Sequence, residues 1–121
     1  ENGIINDESF YKDGKPEGID TSWFEDGKPN NLTTWKNGTL EGQQIFWYKN
    51  GQKQTQSNYK NGKREGKVIG WYENGQKQYE ENYEDGLLDG LRVTWHENGS
   101  KKKEEVYKHG FLSYVTNHVE G

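Results

Sequence analysis

Between its glycines the chain alternates large apolar or aromatic residues with polar ones over segments of roughly seven to nine residues, the period-two pattern of half-buried strands. No segment carries the 3.6-residue period of a helix. The pattern recurs every 24 residues. One series of turn signals ends at Gly3, Gly27, Gly51, Gly75 and Gly99, each preceded by Asn2, Asp26, Asn50, Asn74 or Asn98. A second ends at Gly14, Gly38, Gly62, Gly86 and Gly110, after Asp13, Asn37, Asn61, Asp85 and His109. Asn-Gly and Asp-Gly accept positive φ at both central positions of a type I′ turn, whose twist matches a two-stranded ribbon. A third series, Gly18, Gly42, Gly66 and Gly90, follows the second at a distance of four residues. The prediction is all-β: a single elongated, twisted antiparallel meander of tandem 24-residue β-hairpin repeats, on the order of 45 Å long if about ten strands lie 4.8 Å apart.

Aromatic residues follow the same lattice. Trp23, Trp47, Trp71 and Trp95 make one column; Tyr11, Trp35, Tyr59, Tyr83 and Tyr107 a second; Phe24, Tyr48, Tyr72 and His96 a third. With two-residue loops at every turn, Tyr48 pairs with Lys53, Phe46 with Thr55 and Gly42 with Tyr59, and paired residues share a face. That register lays the rings of Tyr59, Tyr83 and Tyr107 over Gly42, Gly66 and Gly90. It also aligns Ile45 and Trp47 with Gln54 and Gln56, then with Ile69 and Trp71. The Trp column with Ile45, Ile69 and Val93 forms the more apolar face.

Composition narrows the function classes. At 121 residues the chain fits one domain, and with 27% hydrophobic but 14% aromatic residues its apolar material lies in a few large rings. Such material suits a thin sheet better than a thick core. Cysteine is absent, which removes disulfide and thiolate chemistry. A net charge of −4 with mixed signs argues against binding nucleic acid through charge. No run approaches the roughly 18 apolar residues of a membrane-spanning helix.

Candidate chemistry is sparse. His96, His109 and His118 match no zinc-ligand spacing, and His96 and His109 occupy turn positions of the lattice. The neighbours Glu80-Glu81 and Glu104-Glu105 point to opposite faces of a strand and cannot flank one bond. The run Lys101-Lys102-Lys103 splits between faces in the same way and meets Glu104 and Glu105 at once. No glycine run ends in the Gly-Lys-Ser/Thr of a phosphate loop, and no serine has the strand-turn-helix setting of a nucleophile. The sequence therefore predicts no enzyme, no catalytic residue, no cofactor and no metal.

The recurring string Gly-x-x-x-Trp-Tyr-Glu/Lys-Asn-Gly-Gln-Lys, followed by Tyr-Lys-Asn-Gly-Lys-x-Glu-Gly, resembles the MORN repeat variant common in bacterial proteins, best from Gly42 to Gly110. The resemblance implies a twisted sheet serving as an interaction platform. Some bacterial members are named antitoxins or immunity partners. Others carry a phosphatidylinositol-phosphate-kinase label, which implies a phospholipid or membrane-surface module as the alternative. Residues 1–110 are expected to form the array and 111–121 a divergent C-terminal cap, with Tyr114 where the third glycine should fall and Val119 where Trp should. Pro16 and Pro29 in the weak first repeat suggest a blunted sheet edge. Asn2-Gly3 falls in mid-repeat, so the array is expected to extend before Glu1. The expected partner is another protein bound through Trp47, Tyr48, Trp71, Tyr72, Trp95 and His96, with anionic lipid second, no nucleic acid, and edge-to-edge self-association open.

Overall fold

The computed structural model describes residues 4–118 and, among them, strands and turns but no helix. Ten strands follow one another across an open antiparallel sheet: β1 (Ile4–Glu8), β4 (Gly18–Phe24), β5 (Pro29–Lys36), β6 (Thr39–Trp47), β7 (Lys53–Lys60), β9 (Gly66–Trp71), β10 (Lys77–Glu84), β12 (Gly90–Trp95), β13 (Lys101–Lys108) and β14 (Phe111–Asn117). Two short strands extend hairpin ends, β8 (Lys63–Arg64) on β7 and β11 (Leu87–Leu88) on β10. A separate ribbon pairs β2 (Tyr11–Lys12) with β3 (Lys15–Pro16). Apart from β1 on β4, and from β7 on β9 and β10 on β12 where only the short β8 and β11 intervene, neighbours in the sheet are neighbours in sequence, the meander that the repeat predicted.

The two turn series differ. At the second series both central residues have positive φ, 49° to 54° at Asp13, Asn37, Asn61, Asp85 and His109, followed by glycines at 79° to 86°. These are type I′ turns, as expected. In the first series only Gly27, Gly51, Gly75 and Gly99 have positive φ. There Gly51 N–H donates to the Tyr48 carbonyl at 3.0 Å and Tyr48 N–H to the Gln52 carbonyl at 2.8 Å. This is a three-residue loop with the glycine as its left-handed bulge. Asn50 selects it: its Oδ1 accepts the Gln52 N–H at 2.9 Å, an Asx bond repeated from Asn74 to Gln76 and Asn98 to Ser100. The expected Tyr48–Lys53 pair is therefore wrong, and Trp47 faces Lys53 instead. One irregularity further on cancels the shift, so that Phe46–Thr55, Ile45–Gln56 and Gly42–Tyr59 pair as expected. Asn2-Gly3 lies outside the described residues.

The third glycine series also needs correction. Gly66 pairs with Tyr83 and Gly90 with Tyr107, but a Cβ built on Gly66 meets nothing within 4 Å. The rings do not lie over these glycines. Their φ angles of 84° to 107° at Gly18, Gly42, Gly66 and Gly90 are what exclude a side chain, because an L-residue there brings Cβ against its own backbone. Four residues, Glu65 to Val68, lie between Arg64 and Ile69, but only Ser57 and Asn58 lie between their partners Tyr59 and Gln56, and the left-handed Gly66 lets the strand make that step. A ring does cover Gly70, which has ordinary φ: a Cβ there would fall closer than 3.0 Å to Tyr79.

Pro16 stands in the two-stranded ribbon, whose strands have one neighbour each, but Pro29 does not mark an outer edge. Pro29 opens β5 opposite Trp23, with β4 and β6 on either side, and β1 covers the far side of β4. Proline is tolerated at these strand-end positions because no ladder donor is required of it. Val119 lies outside the described residues.

Successive hairpins are joined at both ends by bonds that repeat with the lattice. At one end Tyr48 Oη donates to the Trp71 carbonyl and Tyr72 Oη to the Trp95 carbonyl, both at 2.7 Å. Asn50 and Asn74 amides donate to the carbonyls of Glu73 and Glu97. At the other end the carboxylates of Glu17, Glu41, Glu65 and Asp89 accept the N–H of Asn37, Asn61, Asp85 and His109 at 2.8 to 3.0 Å. These bonds satisfy turn groups that the ladder leaves open. They explain why the third glycine is always preceded by Glu or Asp.

Candidate functional site

Register divides the side chains into two faces. On the first, Trp23, Trp47, Trp71 and Trp95 stand in line with Ile45, Ile69 and Val93, as the column pattern predicted. Ile45 and Val93 are buried beneath the row, while the indoles are only half-buried. Two strand widths, about 9.6 Å, separate successive indoles. A groove of 330 Å³ is lined by Trp47 and Trp71 together with Gly51, Gly75, Gln52 and Lys53. A smaller one of 180 Å³ lies beside Trp95, Gln76, Lys77 and Gly99. The glycines that close the three-residue loops thus also leave room beside the rings.

Lysines alternate with these indoles, because Trp47 pairs with Lys53, Trp71 with Lys77 and Trp95 with Lys101. Each amine is engaged three residues on: Lys53 donates to Gln56, Lys77 to Glu80 and Lys101 to Glu104. Lys77 Nζ also lies 5.8 Å from the centre of the Trp95 ring, a cation–π distance. The Lys77 bond, outweighing burial and helped by Lys67 at 2.9 Å, holds the Glu80 carboxyl below the ordinary carboxylate range. Glu104 is lowered similarly by His118, whose Nε2 lies 3.0 Å away, and by Lys101.

Of the six residues expected to meet a partner, the three indoles share this surface. Tyr48 and Tyr72 sit at the turns with their hydroxyls committed to the inter-repeat joint, and Tyr72 lines a cavity with Trp95 as well as with Tyr79, Arg92 and Thr94 of the opposite face. His96 takes the turn position of these tyrosines, with its N–H donating to the Ser100 carbonyl.

Sequence reasoning missed a second feature of the indole face. Leu91 pairs with Val106 and Val106 with Tyr114, and all three are exposed, Tyr114 by 63%. In the two preceding repeats the positions of Leu91 hold Gln43 and Lys67, and those of Val106 hold Asn58 and Asn82, whereas the first repeat has Thr34 and the exposed Ile19 there. From the second repeat onward the row therefore changes from polar to apolar toward the C-terminal end. A departure within one lattice column is the signal that could have found it.

The opposite face carries the Trp35, Tyr59, Tyr83 and Tyr107 column and a chain of charge. Arg92 Nε donates to Glu81 at 2.7 Å and a terminal guanidinium nitrogen donates to Glu105 at 2.6 Å. Tyr83 and Tyr107 hydroxyls donate to the same two carboxylates. Arg64 donates to Tyr59 and Tyr83 and lies 5.3 Å from the centre of the Tyr83 ring. Burial acts to lower the Arg92 pKa, but the bonds to Glu81 and Glu105 outweigh it and raise the value. Burial and the Glu81 bond raise that of Tyr83. Glu80 and Glu104 lie on the indole face and Glu81 and Glu105 on this one, so the adjacent carboxylates do diverge.

A family model described as the MORN repeat variant matches residues 40–61, 64–85 and 88–109, more than half of the chain. Each match spans one hairpin of the sheet: β6 with β7, β9 with β10, and β12 with β13. No curated protein matches the chain.

Proposed function

Since the chain belongs to the MORN repeat variant family, whose repeats are in general non-catalytic units mediating protein or membrane interactions, we propose that it is a protein-interaction scaffold. Its binding surface is the indole face. The observation that carries this reading is the row of half-exposed Trp47, Trp71 and Trp95, spaced by open grooves and continued by Leu91, Val106 and Tyr114. Rigid aromatic rings offer large contact area at low entropic cost, which is why Trp and Tyr dominate interface energetics. Tyr48, Tyr72 and His96 support the surface from the turns. Residues 1–110 act as the array and 111–121 as its divergent cap, whose strand β14 continues the sheet. An antitoxin or immunity-type role, in which the partner is a toxin, is the finer form of this reading.

The runner-up is a phospholipid or membrane-surface module. Lys53, Lys77 and Lys101 beside the indoles favour it, since Trp and Lys together suit a lipid interface. Against it stand the net charge of −4 and the engagement of each amine by a neighbouring side chain. Co-sedimentation with phosphatidylserine vesicles separates the two. The scaffold reading expects little pelleting at any ionic strength. Strong binding that collapses above physiological salt, where charges are screened beyond about 8 Å, and that is lost on replacing Lys101, Lys102 and Lys103 by Gln, would replace it with the lipid reading.

A further inference from the structure

The turn end of the lattice holds three residues whose identities change together at one place. In each of the first three joints a lysine ends the outgoing strand, a glutamate precedes the third glycine, and an Asn or Asp opens the next turn: Lys12, Glu17 and Asn37; Lys36, Glu41 and Asn61; Lys60, Glu65 and Asp85. In the fourth joint the same positions are Glu84, Asp89 and His109. An amine that cannot ligate a metal while protonated becomes a carboxylate, and an amide or carboxylate becomes an imidazole. The structure brings one ligating atom of each of the three within 4.8 Å of the others. The last two are tied by the bond from His109 N–H to Asp89 Oδ1 at 3.0 Å, which leaves the other oxygen of that carboxylate available.

The geometry points to a divalent transition-metal site of the zinc class at this joint, ligated by Glu84, Asp89 and His109, with water completing the shell. Zinc takes imidazole nitrogen and carboxylate oxygen at about 2.0–2.2 Å in tetrahedral sets, which places donors about 3.4 Å apart. The three donor atoms lie within 4.8 Å of one another, and the exposed side chains of Glu84 and His109 can close any excess over that spacing by rotation. An imidazole with two carboxylates favours such an ion over calcium, which prefers an all-oxygen shell. The ion would bridge the turn at Asp85-Gly86 to the turn at His109-Gly110 and so staple the last matched hairpin to its predecessor. Histidine spacing along the sequence carries no trace of the site, because its ligands come from two repeats and only one is histidine.

Isothermal titration of the full chain with zinc chloride, paired with thermal unfolding, tests this. Wild type should take up one ion per chain and melt at higher temperature with the ion present. E84K and H109N install the residues that Lys60 and Asn61 hold one and two joints earlier. They should melt near wild type without metal, bind zinc at least about tenfold more weakly, and lose the metal-induced shift. In wild type, imidazole NMR should show zinc perturbing the His109 ring and leaving those of His96 and His118 unchanged. Absence of stoichiometric uptake, wild-type binding by both variants, or perturbation of His118 in place of His109 would each overturn the site.

Discussion

Replacing Arg92 by Met should destabilise the protein by about 3–5 kcal/mol, the largest effect expected of any single side-chain substitution in the sheet. Glu81 and Glu105 are 8% and 7% exposed, and Arg92 lies between them, donating to both. Removing the guanidinium leaves two like charges in a poorly solvated place with only a tyrosine hydroxyl each. Breaking a buried pair is costly for that reason even where the intact pair adds little net stability. The preceding repeat supplies the control, since Ser57 and Val68 hold the positions of Glu81 and Arg92, and Val68 is 1% exposed. The triple variant E81S/R92V/E105S should therefore recover most of what R92V alone loses. Denaturant unfolding of the four proteins checks this. A triple variant as unstable as R92V would show that the cost comes from lost packing of the arginine stem and not from stranded carboxylates.

Substitution of Gly70 should be nearly as damaging, by a different mechanism. Gly70 is buried in β9, and any Cβ there enters the Tyr79 ring. Gly70→Val should cost at least about 1–3 kcal/mol, the range for overpacking. Shrinking the ring should relieve the clash, so Y79A should add much less in the G70V background than on its own. Gly66 provides the contrast. It has φ of 84° and open space around its Cβ direction, so Gly66→Ala should cost about 1–2 kcal/mol through the backbone, and Tyr83→Ala should not relieve it. A double-mutant cycle measures each coupling. Strong coupling between Gly66 and Tyr83 would restore the ring-over-glycine arrangement that the register alone suggested.

These two cases also mark what the sequence makes legible. The 24-residue period, the type I′ turns and the Trp column on one face can be read directly, because turn glycines and alternating rings are local signals with one physical solution. The first turn series cannot, since Asn-Gly serves either a two-residue or a three-residue loop. What decides is the Asn50 side chain capturing the Gln52 amide. The Gly66 step is hidden for a related reason: a glycine required by φ and one required by a neighbouring ring look alike in sequence. The Arg92 trio and the Leu91, Val106 and Tyr114 row each assemble across strands from residues that depart from their own lattice columns. A period search emphasises what repeats and passes over such departures.

The indole face as a protein-binding surface is tested most directly by the affinity of its purified partner, once captured from the source cell, for wild type, W71A and F46A at low and high salt. Trp71 lines the larger groove, whereas Phe46 stands on the opposite face and is 36% exposed. The account predicts that W71A weakens binding about 30-fold or more, the loss of roughly 2 kcal/mol typical of a hot spot, that F46A changes it little, and that salt has a weak effect. Binding unaffected by W71A, or weakened equally by F46A, would contradict it.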